Sequence, residues 1–251
     1  MSTALTADLI TRESHGLSQT ERVVDTFLAP AKTFTDILRS TSWWLPFLLM
    51  VLVSLTSAAV VQHQVGFERV TENQIHSNPK QEEKLNGLAP DQRARQISIT
   101  SAITKYITYS MPLLLLGGFA LYSLILLAGF NFGLGAQTTF SQVFAVTFYA
   151  ALPYLLINLL TIATLYLGGN AESYDYKNPV GTNLGYYMSD AAPWLKAFLG
   201  SLDLVKLWSL ALQVIGMAIV ARKTITQSAL IVVGWWFIVL LGSVGITAVT
   251  S

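Results

Sequence analysis

The run WWLPFLLMVLVSLTSAAVV, residues 43–61, decides the class of this protein. It carries no charge over a length that matches the hydrocarbon core of a bilayer, for which a helix rising about 1.5 Å per residue needs roughly 20 apolar residues. Four further runs follow, at about 111–132, 141–167, 202–220 and 228–247, and only the run at 202–220 holds charged residues. In lipid every backbone N–H and C=O must find its partner within the chain, and a helix satisfies them locally. The expectation is an all-α polytopic membrane protein: a bundle of five transmembrane helices, an amphipathic N-terminal helix, and a helical projection between spans one and two.

Composition agrees and excludes several classes. The chain of 251 residues is 53% hydrophobic and 12% charged, against about 25% charged for a soluble domain. A net charge of +1 supplies no basic field for nucleic acid. There is no cysteine, so disulfides, thiolate metal sites and cysteine nucleophiles are out. His15, His63 and His76 lie far apart, without the spacing of a metal site. No cofactor and no metal are expected. The first apolar run begins too far along the chain for a cleaved signal peptide, so span one itself is expected to drive insertion.

Two regions divide the chain, an N-terminal arm over 1–41 and a membrane domain over 42–251, the latter with an outer helical loop at 62–110. In the arm, Thr20 reads as a helix cap with Glu21 in the first turn, and Val23, Val24, Phe27 and Leu28 share a face. Pro30 breaks or restarts that helix, and Phe34, Ile37 and Leu38 carry the apolar face onward. Such a broken amphipathic helix beside a span is expected to lie along the membrane surface or under the bundle. Phe27, Pro30 and Phe34 are also candidates for docking a partner. In the outer loop, NP at 78–79 and NG at 86–87 mark turns. The loop reads as helical extensions of both flanking spans, joined around residues 78–90. Arg39, Arg222 and Lys223 lie closest to the spans, and basic residues at that position place the N-terminus in the cytoplasm. Trp43, Trp44, Trp194, Trp235 and Trp236 near span ends read as interfacial anchors.

The fourth run, GSLDLVKLWSLALQVIG at 200–216, holds an acid and a base in an otherwise apolar helix. At about 100° per residue, Asp203, Lys206, Ser209, Gln213 and Gly216 share an arc of about 140°. Tyr154, Asn158 and Thr161 make a similar stripe on span three. The candidate polar cluster is Asp203, Lys206, Gln213 and Asn158. One reading is structural: Ser201 caps span four, Asp203 sits in its first turn, Lys206 pairs with it or snorkels, and Gln213 bonds across to Asn158 or a carbonyl. The other is a polar path for an ion or a small substrate, because ionisable groups in a membrane are functional candidates. Asp203 and Lys206 stand near one end of the span, away from the midplane where transporters place their sites.

These residues resemble a known family. Phe27, Pro30 and Phe34, followed by SWWLP at 42–46, look like the opening motif of the Yip family, the Ypt/Rab-interacting multispanning membrane proteins. APDQRARQISI at 89–99 resembles the run before the second span in bacterial members, and Asp203, Trp208, Leu212 and Gly216 resemble a fourth-span signature. The resemblance extends over about residues 22–245. It implies five spans, a cytosolic N-terminus, no enzymatic activity, and work through partners such as Rab-type GTPases and related membrane proteins. The short N-terminal arm and the long first outer loop depart from eukaryotic members, fit a bacterial relative, and leave little surface for a Rab-type GTPase.

The functional expectation is a scaffold or accessory subunit of a membrane complex, of trafficking or transport-ATPase type, in contact with lipid and with a membrane-protein partner or a second copy. A bacterial cytoplasmic membrane is the expected location, with a Golgi or ER membrane as the eukaryotic alternative. The competing function is a small transporter or channel using the span-four stripe. Neither HExxH nor GxSxG occurs, and an intramembrane enzyme is not expected.

Overall fold

The computed structural model describes residues 16–168, 172, 174–188 and 191–250; residues 1–15 of the N-terminal arm lie outside this set. Among the described residues there is no strand. The helices are α1 (Gln19–Leu28), α2 (Pro30–Ile37), α3 (Trp44–Gln64), α4 (Phe67–His76), α5 (Pro79–Asn86), α6 (Pro90–Ala128), α7 (Phe140–Ala150), α8 (Tyr154–Tyr166), α9 (Pro193–Ser201), α10 (Leu204–Val220) and α11 (Ile225–Thr250). A π turn, Gly129–Gly133, continues α6, and a 3₁₀ turn occupies Leu184–Tyr187. Among the described residues, four helical segments are long and apolar enough to cross a membrane: Trp44–Gln64, Pro90–Gly133, Phe140–Tyr166 and Ile225–Thr250. The pair α9 and α10, bent by 48°, makes a fifth if it is one span. The protein is a polytopic helical membrane protein.

By its contacts the chain separates into two units, one of residues 1–48, 119–152 and 210–232, the other of 49–118, 153–209 and 233–251.

In the first unit, α1 starts at Ser18, not at Thr20. The Ser18 hydroxyl accepts from the Glu21 amide and the Glu21 carboxylate accepts from the Ser18 amide. This reciprocal pair satisfies two otherwise orphaned amides, an advantage Thr20 lacks because no Glu or Gln stands three residues after it. Ala29 leaves helical geometry and Pro30 opens α2 at a position where its missing N–H costs nothing. The buried side of this hairpin is centred on Arg22 as much as on apolar residues. Arg22 is fully buried. Its Nε donates to Asp36 Oδ2 at 2.6 Å, one terminal nitrogen donates to the Ser40 carbonyl at 2.7 Å, and the other to the Asp36 carbonyl at 3.3 Å. The hydroxyls of Thr26 and Thr33 both donate to the Arg22 carbonyl. A planar guanidinium with five donors can tie one carboxylate and several carbonyls at once; an ammonium cannot. Val24 and Leu28 of the expected apolar face remain exposed, whereas Phe34 and Ile37 are fully buried.

Burial alone would raise the Asp36 carboxyl, but hydrogen bonds from Arg39 and Arg22, together with their charges, hold it below its ordinary value of 3.8. The stability this pair contributes is therefore complete above that value and is lost as pH falls through the lowered one.

The same unit packs around aromatic rings. Trp43 stacks on Phe148 with centroids 5.0 Å apart and meets Phe144 edge-on at 5.0 Å, and Phe119 meets Phe148 at 5.1 Å. Trp43 is thus a packing residue in this unit, and its neighbour Trp44 is half exposed. At Gly216 a Cβ would lie 2.5 Å from Val146 Cγ1 and 2.9 Å from the Phe34 ring, so glycine is what lets α10 approach α7 and α2. The link after the π turn is closed by Asn131, whose amide donates to the Thr138 carbonyl and whose oxygen accepts from the Thr138 amide and hydroxyl. Thr139 and Gln142 then form a second reciprocal cap on α7.

In the second unit, Val60, Val61, Val70, Leu165 and Tyr174 form a buried core with Val65, Ile162 and Tyr176 against it. The region between the first two spans corrects the expectation of two continuous extensions. Span two does extend back, as α6 from Pro90, but after α3 the chain turns at Gly66, φ +81°, into the separate short helices α4 and α5. That φ is open to glycine without strain, and a helix cannot run through it. Asn73 of α4 donates to the Tyr174 carbonyl at 3.0 Å, drawing the loop after α8 onto this core.

Two substitutions test the first unit, read as thermal unfolding of the detergent-solubilised protein. Arg22→Met leaves Asp36 without its buried partner and should cost about 3 kcal/mol; it should also flatten the acid limb below pH 3.8, where the wild type loses the contribution of Asp36. Gly216→Ala should cost about 1–3 kcal/mol through overpacking.

Candidate functional site

The site is built around the break between α9 and α10. Ser201 ends α9 and its hydroxyl donates back to the Ala197 carbonyl, so it does not cap span four. Asp203 does. Its Oδ1 accepts from the Val205 amide at 2.9 Å and from the Lys206 amide at 3.2 Å. Those are first-turn N–H groups of α10 with no carbonyl four residues back to take them. Aspartate is favoured at this position because its oxygen reaches them and its charge meets the positive end of the helix dipole.

The second oxygen, Oδ2, accepts from the Thr182 hydroxyl and from Asn183 Nδ2 at 3.1 Å. Asn183 in turn donates to Asn178 Oδ1 at 2.7 Å and accepts from the Tyr186 amide at 3.1 Å. The Leu204 amide donates to the Thr182 carbonyl. An irregular loop is thus bolted to the break through one carboxylate. Gly185 makes the seating possible, since a Cβ there would lie 2.8 Å from the Lys196 carbonyl and 2.9 Å from the Gly200 amide. Asp203 is 2% exposed, yet both of its oxygens are engaged, which makes burial of the charge tolerable.

Beneath this loop lies a cavity of about 250 Å³. Span one contributes Ser54 and Ser57, span two Thr108 and Met111, and α8 Asn158 and Thr161. The loop adds Tyr176 and Lys177, and the break adds Asp203 and Lys206. Thr108 and Tyr176 share a hydrogen bond of 2.9 Å across it. Burial pushes the neighbouring Tyr174 phenol well up, and the nearby Tyr176 and Asp175 add to this, so it stays protonated. Lys206 Nζ donates to the Gly200 carbonyl at 3.0 Å and forms no ion pair with Asp203.

Of the four residues of the sequence-derived cluster, Asp203, Lys206 and Asn158 line this cavity. Gln213 belongs to the other unit, where its amide nitrogen lies 3.5 Å from the Thr147 hydroxyl, itself 3.2 Å from that of Ser123. The Asn158 amide donates to the Tyr154 carbonyl one turn back. The 100° periodicity set all these residues on one stripe; a stripe says nothing of which neighbour faces each of its turns. In the docking set, Phe34 is buried while Phe27 and Pro30 are partly exposed. Sequence reasoning passed over Ser54, Ser57, Thr182 and Asn183. The first two had a signal, hydroxyls three apart on one helical face of an apolar span; the others lie in a loop without periodicity. No group of three or more His, Cys, Asp or Glu among the described residues could hold a metal ion.

The family model for the Yip1 domain matches residues 24–246. No characterised protein and no solved structure matches the chain.

Replacing Asp203 by Ala removes the cap and leaves the Thr182 and Asn183 donors without their acceptor. The expected loss is about 2 kcal/mol or more, with new proteolytic cleavage in the loop at 174–188 as its local signature. Unchanged protease resistance would contradict the bolting role.

Proposed function

Because this chain belongs to the Yip1-domain family, we propose that it acts without catalysis, as a scaffold or accessory subunit of a membrane complex. The observation that carries this reading is the commitment of Asp203. A transport site needs groups that exchange partners with a passing ion or solute, and this carboxylate is spent on two backbone amides and two side chains of its own fold. What remains for function is surface. Spans two and five are the least covered, with 17% and 11% of their apolar windows buried, and both offer long faces to lipid or to another transmembrane helix.

The N-terminal hairpin supplies the docking element in this proposal. Val24 and Leu28 are exposed beside the partly open Phe27 and Pro30, while Phe34 holds the hairpin to its own unit. The partner is a membrane protein or a second copy, in a trafficking or transport-ATPase assembly. A cytoplasmic N-terminus in a bacterial cytoplasmic membrane suits the placement of Arg39, Arg222 and Lys223. The competing reading, a small transporter, draws on the cavity beside Lys206 and Asn158.

One experiment separates them. The tagged protein is extracted from its native membrane in mild detergent and the co-purifying proteins are weighed by mass spectrometry. A stoichiometric membrane partner lost on Leu28→Asp is the expected result. Recovery of the protein alone, with solute flux across reconstituted vesicles that Lys206→Gln abolishes, would replace the scaffold reading by the transporter.

A further inference from the structure

The cavity under the loop has features that the bolting of Asp203 does not use. Ser57 is 6% exposed, lines the cavity, and its hydroxyl meets no hydrogen-bond partner among the described residues. That hydroxyl is free to bond to whatever occupies the cavity. Lys206 is half-buried. Its ammonium has three donors, one of which goes to the Gly200 carbonyl, and it forms no ion pair with any described carboxylate. A cation within a membrane span ordinarily finds a counter-charge.

The acid nearest in sequence, Asp203, is already saturated by four donors. It contributes charge to the site but no free acceptor. Lys177, exposed at the rim, adds a second cation, so two lysines against one aspartate leave the lining at +1. Tyr176 and Asn158 bring further polar groups. The lining thus carries a net positive charge among neutral polar groups, and about 250 Å³ is far more than one water occupies.

Its position adds to this. Ser57 lies seven residues from the end of α3 at Gln64, about 10 Å at 1.5 Å per residue. Lys206 belongs to the first turn of α10, and Thr108 stands at the polar edge of the apolar run of span two. Ser57 lies about 6 Å inside the end of its apolar run at residue 61, whereas Lys206 and Thr108 stand at the edges of theirs, so the cavity runs inward from the level where a phospholipid carries its phosphate. A basic pocket between helices at that level has the chemistry of an anionic headgroup site.

We infer that the cavity lined by Ser57, Asn158, Tyr176, Lys177 and Lys206 binds a phosphate group, supplied by the headgroup of an anionic phospholipid. Lys206 and Lys177 provide the charge, and Ser57 donates the hydrogen bond that it lacks within the protein. The inference does not depend on the scaffold reading, since a headgroup can be bound with or without a protein partner.

The test uses the full chain in nanodiscs, with retained lipid counted by native mass spectrometry. Phosphatidylglycerol should be retained about tenfold more than phosphatidylcholine, as one charge-assisted contact would give. Lys206→Gln should lower that retention about tenfold, and Ser57→Ala severalfold, with little change in unfolding temperature. If Lys206→Gln does not fold, Lys177→Gln and Ser57→Ala carry the comparison. Displacement of the lipid by millimolar inorganic phosphate would keep the phosphate site and assign a free anion as its occupant. Equal retention of the two lipids, or retention unchanged in all three variants, would overturn the inference.

Discussion

A helix that ends near or within lipid leaves amides and carbonyls that no water can reach, and the polar residues of this protein stand where that problem arises. Asp203 takes the first amides of α10 just after α9 ends. Asn131 bridges the link after the π turn through three bonds to Thr138. Arg22 collects the Ser40 carbonyl just before span one begins. Each unsatisfied group at such a place would cost several kcal/mol, so the few polar side chains of an apolar chain are drawn to its discontinuities. Charge scarcity and charge placement then have one cause.

That logic changes how a buried ion in such a protein is weighed. Both Arg22 and Asp203 are buried and ionisable, which on its own suggests function. In each case, however, the partners are groups of the same fold. Lys206 differs, since its one bond leaves most of its donor capacity unspent. The distinction between a charge that holds the fold and one that holds a ligand lies in this accounting of partners.

Much of the architecture was legible in the apolar runs, because spanning a bilayer demands a minimum length and a helix satisfies its backbone locally. Gly216 belonged to a recognisable pattern, but its reason, contact with Val146 and Phe34, depends on which helices meet there. The outer loop was half legible. The turn residues were visible, yet the separation of α4 and α5 from α3 rests on a positive φ at Gly66, and a glycine in a polar stretch is equally at home in many conformations. Arg22 counted in the sequence as one more basic residue of the arm. Its burial follows from Asp36 lying fourteen positions on, in another helix and beyond a proline break.

By itself, then, the order of residues determined an all-helical membrane protein, the approximate positions of its spans and the fact that span four carries a polar stripe. These are local or periodic properties, set by hydropathy and by a fixed turn of about 100° per residue. Tertiary structure alone decided what the stripe does. It put Asp203 under Thr182 and Asn183, placed Lys206 and Asn158 on one cavity with Ser57, and sent Gln213 to Thr147 instead. Those outcomes depend on contacts between segments 20 to about 150 residues apart, where loop closure and packing choose among many pairings that a one-dimensional pattern leaves equivalent.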